Sequence, residues 1–249
     1  MAVTIFGIHS VKEELLTPRS RPQQLFLAAR QLSPRLEELV ALAEQRGVPV
    51  RTLGRQEFDS LVGEGHHQGV ALQLEPFAFV SLEELLGKKA PGPSPKVFFL
   101  ILDSISDPRN FGAILRSADA AGCQGVIIAK DRSCPVTGVV HKASAGALAN
   151  VPVCRVTNLA RTIQQLKKEG LWVFGLGAEG AGSLFDEDLR GDLALVVGCE
   201  GKGLRPNVRK QCDAVLAIPM SGTVSSLNVS VAASIALFEV VRQRRQRTA

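Results

Sequence analysis

Three small polar residues stand directly before the last apolar stretch of the chain. Ser225, Ser226 and Asn228 precede the run 229–241, which contains no Gly or Pro and only three polar residues. This pattern predicts a helix that is buried on most sides. One Ser or Asn is enough to cap a helix, because its side-chain oxygen accepts a hydrogen bond from a free amide of the first turn. Two interpretations of the surplus stay open: capping and turn residues only, or a polar site whose free amides favour oxygen-rich or anionic ligands.

Two other segments carry side chains of similar chemistry. "DSISDPRNFGAILR" follows the apolar run "KVFFLIL" and contains Asn110 and Arg116, while "CEGKGL" follows "LALVVG" and contains Glu200 among glycines. Glycines let a ligand approach the backbone closely. The three segments offer amide, hydroxyl, guanidinium and carboxylate groups, and no His or Cys nucleophile besides Cys199.

Alternating strands and helices must position these segments. The predicted strands after residue 95 are "KVFFLIL", "GVIIA", "VPVCRV", "LWVFGLG", "LALVVG" and "AVLAIP". Predicted helices run through "FGAILRSADAAG", "VVHKASAGALA" and "NLARTIQQLKKEG", followed by the last apolar helix. Apolar strands between helices indicate an α/β fold with a parallel sheet covered on both faces. Ligand sites of such sheets lie at the carboxyl ends of the strands, so the three polar segments are expected to converge there.

A change in composition predicts two domains. Residues 1–75 read as a small α/β unit with a helix capped by Ser33 and stopped at Gly47, and with strands in "VPVRTL" and "GVALQL". Residues 76–95 end in "APGPS" and are the predicted linker, because this cluster suits neither a helix nor an inner strand. Residues 96–249 form the predicted second domain.

The composition is that of a soluble globular protein, with 45% hydrophobic and 21% charged residues among 249. Five cysteines without a C-x-x-C pair argue against a disulfide framework and a zinc site, which favours a reducing cytoplasm. The first residues lack the pattern of a signal peptide, and no run reaches the roughly 18 apolar residues that span a bilayer. We therefore expect a cytoplasmic protein with no membrane segment and no metal.

The net charge of +5 permits a polyanionic partner without requiring one. Residues 1–75 hold 8 Lys and Arg against 9 Asp and Glu, so residues 76–249 hold 21 against 15. Long-range attraction for an acidic partner would therefore come from the second domain.

"GLGAEG", at 175–180, has the spacing of a dinucleotide-binding fingerprint and is followed 20 residues later by Glu200. The next segment, "AGSLFDEDLRGD", contains two glycines and four acidic residues and is too short for the helix that would hold a pyrophosphate. A dinucleotide-dependent oxidoreductase is therefore only a remote alternative.

Taken together, "NFGAILR", "GCEGKG" and "IPM…SSLNVSVA" resemble motifs one, two and three of the SpoU (TrmH-like) branch of the SPOUT RNA ribose 2′-O-methyltransferases. "FGIHSV" and "HQG" are similar to parts of that family's small substrate-binding domain, so the resemblance spans nearly the whole chain. The combination of motifs is specific, although each motif alone is weak.

The resemblance implies a SPOUT-type catalytic domain with a C-terminal trefoil knot, an L30e-like N-terminal domain, a homodimer, and S-adenosylmethionine bound in a bent form. General topology rules would not predict a knot. By resemblance the catalytic set is Asn110, Arg116, Glu200, Ser226 and Asn228. The implied cofactor contacts are Gly175, Gly177, Gly198, Ile218, Met220 and Leu227.

The implied reaction is methyl transfer to a ribose 2′-hydroxyl of RNA, with a guanosine of large-subunit rRNA as the expected target. The same chemistry on tRNA and a catalytically silent RNA-binding relative stay open as alternatives. Arg116 is a poor base because a guanidinium is effectively always protonated, so we expect it to hold a phosphate near the target ribose. The base is then that phosphate or Glu200.

Overall fold

Contacts within the chain divide it into two units. The structure, a computed structural model, describes residues 3–18, 20–28, 33–63, 67–87 and 96–245. The small unit comprises Met1–Ala78 and Val136–Asn150. The large unit comprises Phe79–Pro135 and Val151–Ala249.

The small unit is built on a mixed four-stranded sheet. Its first elements are β1 (Val3–Phe6), α1 (Ile8–Leu16), β2 (Pro22–Leu27), α2 (Pro34–Gln45), β3 (Val50–Thr52), α3 (Arg55–Val62) and β4 (Val70–Leu74). The strand order is β1-β4-β2-β3, in which β2 and β3 are parallel and the other pairs are antiparallel. As predicted, α2 begins after Ser33 with Pro34 in its first turn, but the side chain of Ser33 makes no capping hydrogen bond. Leu25, Leu39 and Leu72 are fully buried in the core that this sheet shares with its helices.

The large unit is built on a parallel sheet. The remaining elements of the chain are α4 (Leu82–Leu86), β5 (Phe98–Asp103), α5 (Pro108–Ala120), β6 (Gly125–Ala129), α6 (Gly138–Ser144), α7 (Ala147–Asn150), β7 (Val153–Val156), α8 (Leu159–Lys168), β8 (Trp172–Leu176), β9 (Gly182–Ser183), β10 (Leu193–Gly198), α9 (Pro206–Arg209), β11 (Ala214–Ala217) and α10 (Val229–Arg245). The seven strands β5 to β11 lie in the order β7-β6-β5-β10-β8-β11-β9, with every pair parallel. All six strands predicted for this region are present, and their carboxyl ends lie at one edge because the sheet is parallel.

The predicted helical stretch "VVHKASAGALA" is two helices, α6 and α7, and both belong to the small unit. The break falls at Ala145 and Gly146, which have φ values of 48° and 83°. His141 of α6 lies with its Nδ1 2.8 Å from Oε1 of Glu14 in α1, and both side chains are buried. This pair fixes the segment to the small unit, although the segment lies between strands of the large unit in the sequence.

The predicted linker, 76–95, contains ordered structure in its first part. Ser81 and Glu84 form a capping box at the start of α4. Leu85 of α4 is fully buried in the core of the large unit, because a leucine side chain gains free energy by leaving water. Residues 88–95, which hold the Pro/Gly/Ser cluster, lie outside the described residues.

The last helix, α10, starts at Val229 as predicted and is buried over most of its surface, with one side exposed. Val231 and Phe238 are 46% and 47% exposed, while Ala233 and Ala236 are fully buried. The helix packs on α5 and β10 and leaves one apolar face uncovered. Among the described residues, no helix is long and apolar enough to cross a membrane.

Candidate active site

Asn110 lies in the first turn of α5, just after the carboxyl end of β5. Asp107 caps this helix, because its Oδ1 accepts a hydrogen bond of 2.7 Å from the backbone N–H of Asn110. Pro108 occupies the first helical position, where its missing backbone N–H costs nothing because an N–H there has no acceptor within the helix. The cap and the proline fix where α5 starts, and so place Asn110 at the edge of the sheet.

Glu200 lies in a tight turn after β10. The backbone N–H of Gly203 donates to the carbonyl of Cys199 over 3.0 Å, and Gly201 and Gly203 have φ values of 78° and 60°. A Cβ added to Gly198 would lie 2.2 Å from the carbonyl carbon of Gly203. Gly198 is therefore required by the turn folding back on its own strand, rather than by open space that a ligand could use.

Asn228 joins the two loops by its side chain. Its Nδ2 donates to Glu200 Oε1 over 2.8 Å and to Asn110 Oδ1 over 3.1 Å. Its Oδ1 accepts from the backbone N–H of Ser230 over 2.9 Å, which directs the amino group towards the other two residues. Glu200 Oε1 also accepts from the backbone N–H of Val229 over 3.3 Å. Three residues far apart in the sequence thus form one hydrogen-bonded group, here called the Asn–Glu–Asn group.

Two cavities meet at Glu200 of this group, while Asn110 lines one of them and Asn228 neither. The larger, of about 350 Å³, lies between the carboxyl ends of β8, β10 and β11 and the start of α10. The second, of about 290 Å³, lies against the loop before α5 and is lined by Ser104, Asp107, Asn110 and Lys202 among others. Cys199, Glu200 and Val229 line both cavities. A group bound in one cavity would therefore face a group bound in the other across Glu200.

Five of the six predicted cofactor contacts line the larger cavity: Gly177, Gly198, Ile218, Met220 and Leu227. Gly175 does not. It lies inside β8, and a Cβ there would be 2.6 Å from a methyl group of Leu204 and 3.2 Å from Sγ of Cys212. This glycine serves packing between strand and loop and does not line the cavity, so its contact with the cofactor stays a prediction.

The two other predicted catalytic residues lie outside the Asn–Glu–Asn group. Ser226 is exposed and lines the larger cavity. Arg116 lies on the exposed side of α5 and lines neither cavity, and its guanidinium makes no hydrogen bond or ion pair with the described residues. The sequence spacing put Arg116 on the same helix as Asn110 without fixing its direction.

Sequence reasoning missed a buried ion pair beside the site. Asp103, fully buried at the end of β5, accepts from the backbone N–H of Arg205 over 2.8 Å and from its Nε over 2.5 Å. Asp103 is also the register partner of Gly198. The pair therefore anchors the loop that carries Glu200 to the neighbouring strand. A single Asp at the end of the apolar run "FFLIL" was the only signal in the sequence.

All five cysteines are free thiols. Burial raises the pKa of Cys123 to about 12 and that of Cys154 to about 11. Among the described residues, no group of three or more His, Cys, Asp and Glu side chains could hold a metal ion.

Two family models match this chain. The model of the SpoU rRNA Methylase family matches residues 97–238, and the model for RNA 2′-O ribose methyltransferase substrate binding matches residues 4–80. The chain belongs to the SpoU rRNA methylase family, which confirms the resemblance drawn from its three motifs.

Curated relatives within this family are similar over almost their whole length. The 23S rRNA (guanosine-2′-O-)-methyltransferase RlmB of Pseudomonas putida is 45% identical over 97% of this chain and 96% of the relative. RlmB of Escherichia coli K12 is 42% identical over 98% of this chain and 100% of the relative.

Solved structures agree with the fold. The SpoU methyltransferase AviRb from Streptomyces viridochromogenes, solved in complex with AdoMet, is 26% identical with a TM-score of 0.78. The match covers 98% of this chain and 90% of AviRb. A TrmH-family protein from Porphyromonas gingivalis, described as a putative RNA methyltransferase, is 29% identical with a TM-score of 0.72, over 99% and 90% of the two chains.

Proposed function

We propose that this protein transfers a methyl group from S-adenosylmethionine to the ribose 2′-hydroxyl of a guanosine in 23S rRNA. One observation carries the proposal: two cavities share Glu200, and Asn228 ties that carboxylate to Asn110. A methyl donor and a ribose need two adjoining sites with a proton acceptor between them. The names of the curated relatives supply the nucleotide and the RNA.

The larger cavity fits S-adenosylmethionine. Its walls combine apolar side chains, including Leu216, Ile218 and Leu227, with the backbone of Gly177 and Gly198. Apolar walls suit a flat nucleobase, and exposed peptide groups can bond its polar edges. When bound, S-adenosylmethionine supplies a methyl group on a positively charged sulfur, which a 2′-hydroxyl can displace. The trefoil knot and the bent form of the cofactor stay predictions from the family.

Glu200 is the group best placed to take the proton of the 2′-hydroxyl. Its Oε1 is held by Asn228 and by the backbone of Val229, so its position does not depend on the substrate. Fixing a catalytic group and its reactant in one geometry supplies much of the barrier lowering in such a reaction. Asn228 holds the Glu200 carboxylate and the side chain of Asn110 in place. Asn110 lines the second cavity, where we place the ribose.

We assign Arg116 to a phosphate of the substrate and Ser226 to the wall of the cofactor cavity. Arg116 is exposed and makes no bond with the described residues, so its planar group is available for two parallel hydrogen bonds to a phosphate. We prefer this role to that of the base, because a guanidinium gives up a proton far less readily than a carboxylic acid.

The N-terminal residues, 1–75, are assigned to local recognition of the RNA, whereas part of the predicted linker, from Phe79 onward, and most of residues 96–249 belong to the large unit, which we assign to methyl transfer. Residues 1–75 carry 8 basic and 9 acidic residues, so they contribute shape and hydrogen bonds to RNA recognition rather than net positive charge. The match of residues 4–80 to a substrate-binding model supports this assignment.

The family resemblance implies a homodimer, and we propose the uncovered face of α10 as its interface. Val231 and Phe238 lie seven residues apart, with the partly buried Ile235 between them, so all three share one side of the helix. Exposed apolar faces of this kind mark interaction sites. A second copy of the chain is the occupant we propose.

The test is methyl transfer from labelled S-adenosylmethionine to unmodified 23S rRNA, tRNA and 16S rRNA transcripts, with mapping of the product. We expect one 2′-O-methylguanosine in 23S rRNA, and we propose that transfer needs no metal bound to the protein. Methylation of tRNA alone would show that tRNA, and not 23S rRNA, is the substrate. Cofactor binding without transfer would indicate a silent RNA-binding relative, and a rise in melting temperature with NAD but not with S-adenosylmethionine would indicate an oxidoreductase. We place the enzyme in the cytoplasm, where its rRNA substrate and its free thiols would both be found.

A further inference from the structure

A third cavity lies at the carboxyl ends of β6 and β7. It has a volume of about 210 Å³ and is lined by Asp131, Arg132, Thr157, Asn158, Arg205 and Asn207, with apolar residues beneath. None of its described lining residues lines either cavity of the active site. The proposed function leaves this cavity without a role.

Arg205 is fixed in this cavity by the buried carboxylate of Asp103. The carboxylate of Asp103 accepts one hydrogen bond from Nε of Arg205 and one from the backbone N–H of Arg205. The two terminal nitrogens of Arg205 make no hydrogen bond with the described residues, and about a third of the side chain is exposed. A guanidinium held by its Nε presents its terminal nitrogens as a fork, which suits two oxygens of one anion.

Arg132 reaches the cavity from the loop after β6 and has a backbone φ of 60°, which costs free energy for a residue with a side chain. The loop is held in this conformation at both ends. Ser133 Oγ donates to the carbonyl of Ala129 over 2.6 Å, and the backbone N–H of Lys130 donates to the carbonyl of Val156 over 2.7 Å. The Arg132 side chain is exposed and makes no bond with the described residues.

The free hydrogen-bond donors of the cavity come from these two arginines rather than from a helix end, while the two carboxylates nearby, Asp131 and Asp103, balance the two formal charges. Asn158 already caps α8, because its Oδ1 accepts from the backbone N–H of Arg161 over 3.1 Å. Asp131 is the one acidic residue among those lining the cavity, and Asp103 is paired with Arg205. Two guanidinium groups with free donors, on separate loops facing one space, favour a phosphate over a neutral ligand.

We propose that this cavity binds a phosphodiester of the RNA substrate, from a nucleotide near the one that is methylated. The inference rests on the proposed function. Asp103 connects the two sites, because it anchors Arg205 while the next residue, Ser104, lines the second cavity of the active site. Arg132 and Arg205 are then positioning residues that fix where the RNA strand lies relative to the active site. Asp103 contributes by holding Arg205 in place.

The experiment compares Arg132→Gln, Arg132→Lys and the control Lys168→Gln, which removes a charge from the exposed end of α8. Affinity for an unmodified 23S rRNA transcript is measured at several salt concentrations, and S-adenosylmethionine affinity by calorimetry. We expect Arg132→Gln to weaken RNA binding about three- to tenfold and to reduce the slope of log K against log salt by about 0.7, as for one lost phosphate contact on a single strand. Arg132→Lys should keep the slope, because it keeps the charge. S-adenosylmethionine affinity should stay unchanged in all three variants.

An RNA affinity and salt slope in Arg132→Gln equal to those of Lys168→Gln would overturn the proposal. A loss of S-adenosylmethionine affinity in Arg132→Gln would overturn it too, because the cavity would then serve the cofactor. Failure of the proposed function shows elsewhere, as a wild-type protein that transfers no methyl group to 23S rRNA. The salt slopes of wild type and Arg132→Gln still decide the phosphate site in that case.

Discussion

The side-chain amide of Asn228 holds the carboxylate of Glu200 at 2.8 Å and the side chain of Asn110 at 3.1 Å. Its own oxygen is occupied by Ser230, so the amide cannot turn round without losing a hydrogen bond. A carboxylate held in this way keeps its position between the two cavities whether or not RNA is bound. The roles assigned to the site depend on this arrangement.

Glu200→Gln should lower the single-turnover rate of methyl transfer by about 10²- to 10⁴-fold. Glutamine can still accept from Asn228 through its carbonyl, but it cannot take a proton from the ribose hydroxyl. S-adenosylmethionine affinity, measured by calorimetry, should change little. Glu83→Gln, at an exposed position of α4, is the control for loss of a charge. A Glu200→Gln variant with wild-type transfer would assign the base to the substrate phosphate.

Arg116→Lys should lower methyl transfer without changing S-adenosylmethionine affinity. The ammonium keeps the charge but loses the planar fork that would hold a phosphate. The pH profile of single-turnover transfer should keep its rising limb at the same pH with a lower plateau. If Arg116 were the base, an amine with a pKa of about 10.4 would move that limb to lower pH. A displacement of about one pH unit or more would contradict the phosphate role.

Gly198→Ala should abolish cofactor binding. The added Cβ would lie 2.2 Å from the carbonyl carbon of Gly203, and backbone cannot move aside as a flexible side chain can. The turn that carries Glu200 must then shift. Gly222→Ala is the matched control, since a Cβ there meets no atom within 4 Å. Calorimetric titration measures the S-adenosylmethionine affinity of both variants. Wild-type affinity in Gly198→Ala would show that the turn does not form a wall of the cofactor cavity.

Phe238→Glu should convert the proposed dimer into a monomer. The variant puts a charge on the uncovered face of α10, where it would lose hydration if a second copy covered it. Phe185→Glu is the control, because Phe185 is 46% exposed against 47% for Phe238 and lies in a loop of the same unit. Sedimentation at several concentrations measures the mass. A wild-type protein that is monomeric at micromolar concentration would refute the dimer.

Glu14→Gln should lower the free energy of unfolding at neutral pH, and the difference from wild type should shrink as the pH falls. Burial raises the pKa of Glu14. The hydrogen bonds from His141 and Ser20 and the nearby charges of His141 and Arg46 lower it by more than burial raises it, so the pKa lies below its ordinary value of 4.5. A carboxyl with a lowered pKa stabilises the folded state above its unfolded pKa and loses that contribution as the pH falls through its folded pKa. Chemical unfolding from pH 3 to pH 7 measures the effect. A difference that is constant across this range would mean that the charge of Glu14 does not stabilise the small unit.

The sequence by itself determined the strands of the large unit and the three polar loops that follow them. This was possible because long apolar runs between helices form a parallel sheet, and such a sheet brings the carboxyl ends of its strands to one edge. Asn110, Glu200 and Asn228 could therefore be predicted to converge. The three motifs then named the family, which no pattern of hydrophobicity could do.

Only the tertiary structure decided which residues of a motif face the site. Gly175 and Gly177 are two residues apart in one apparent fingerprint, yet Gly175 packs against Leu204 and Gly177 lines the cavity. Local patterns give the face of a strand but not what covers it.

The structure alone also decided the contacts between distant parts of the chain. Asp103 and Arg205 are 102 residues apart, and Glu14 and His141 are 127 apart, so neither pair follows from spacing. Whether an apolar helix face is covered depends in the same way on where the rest of the chain lies, which is why the exposure of Val231 and Phe238 was not predicted. Pairings of this kind are set by the summed packing of both units, and that sum exists only in the folded molecule.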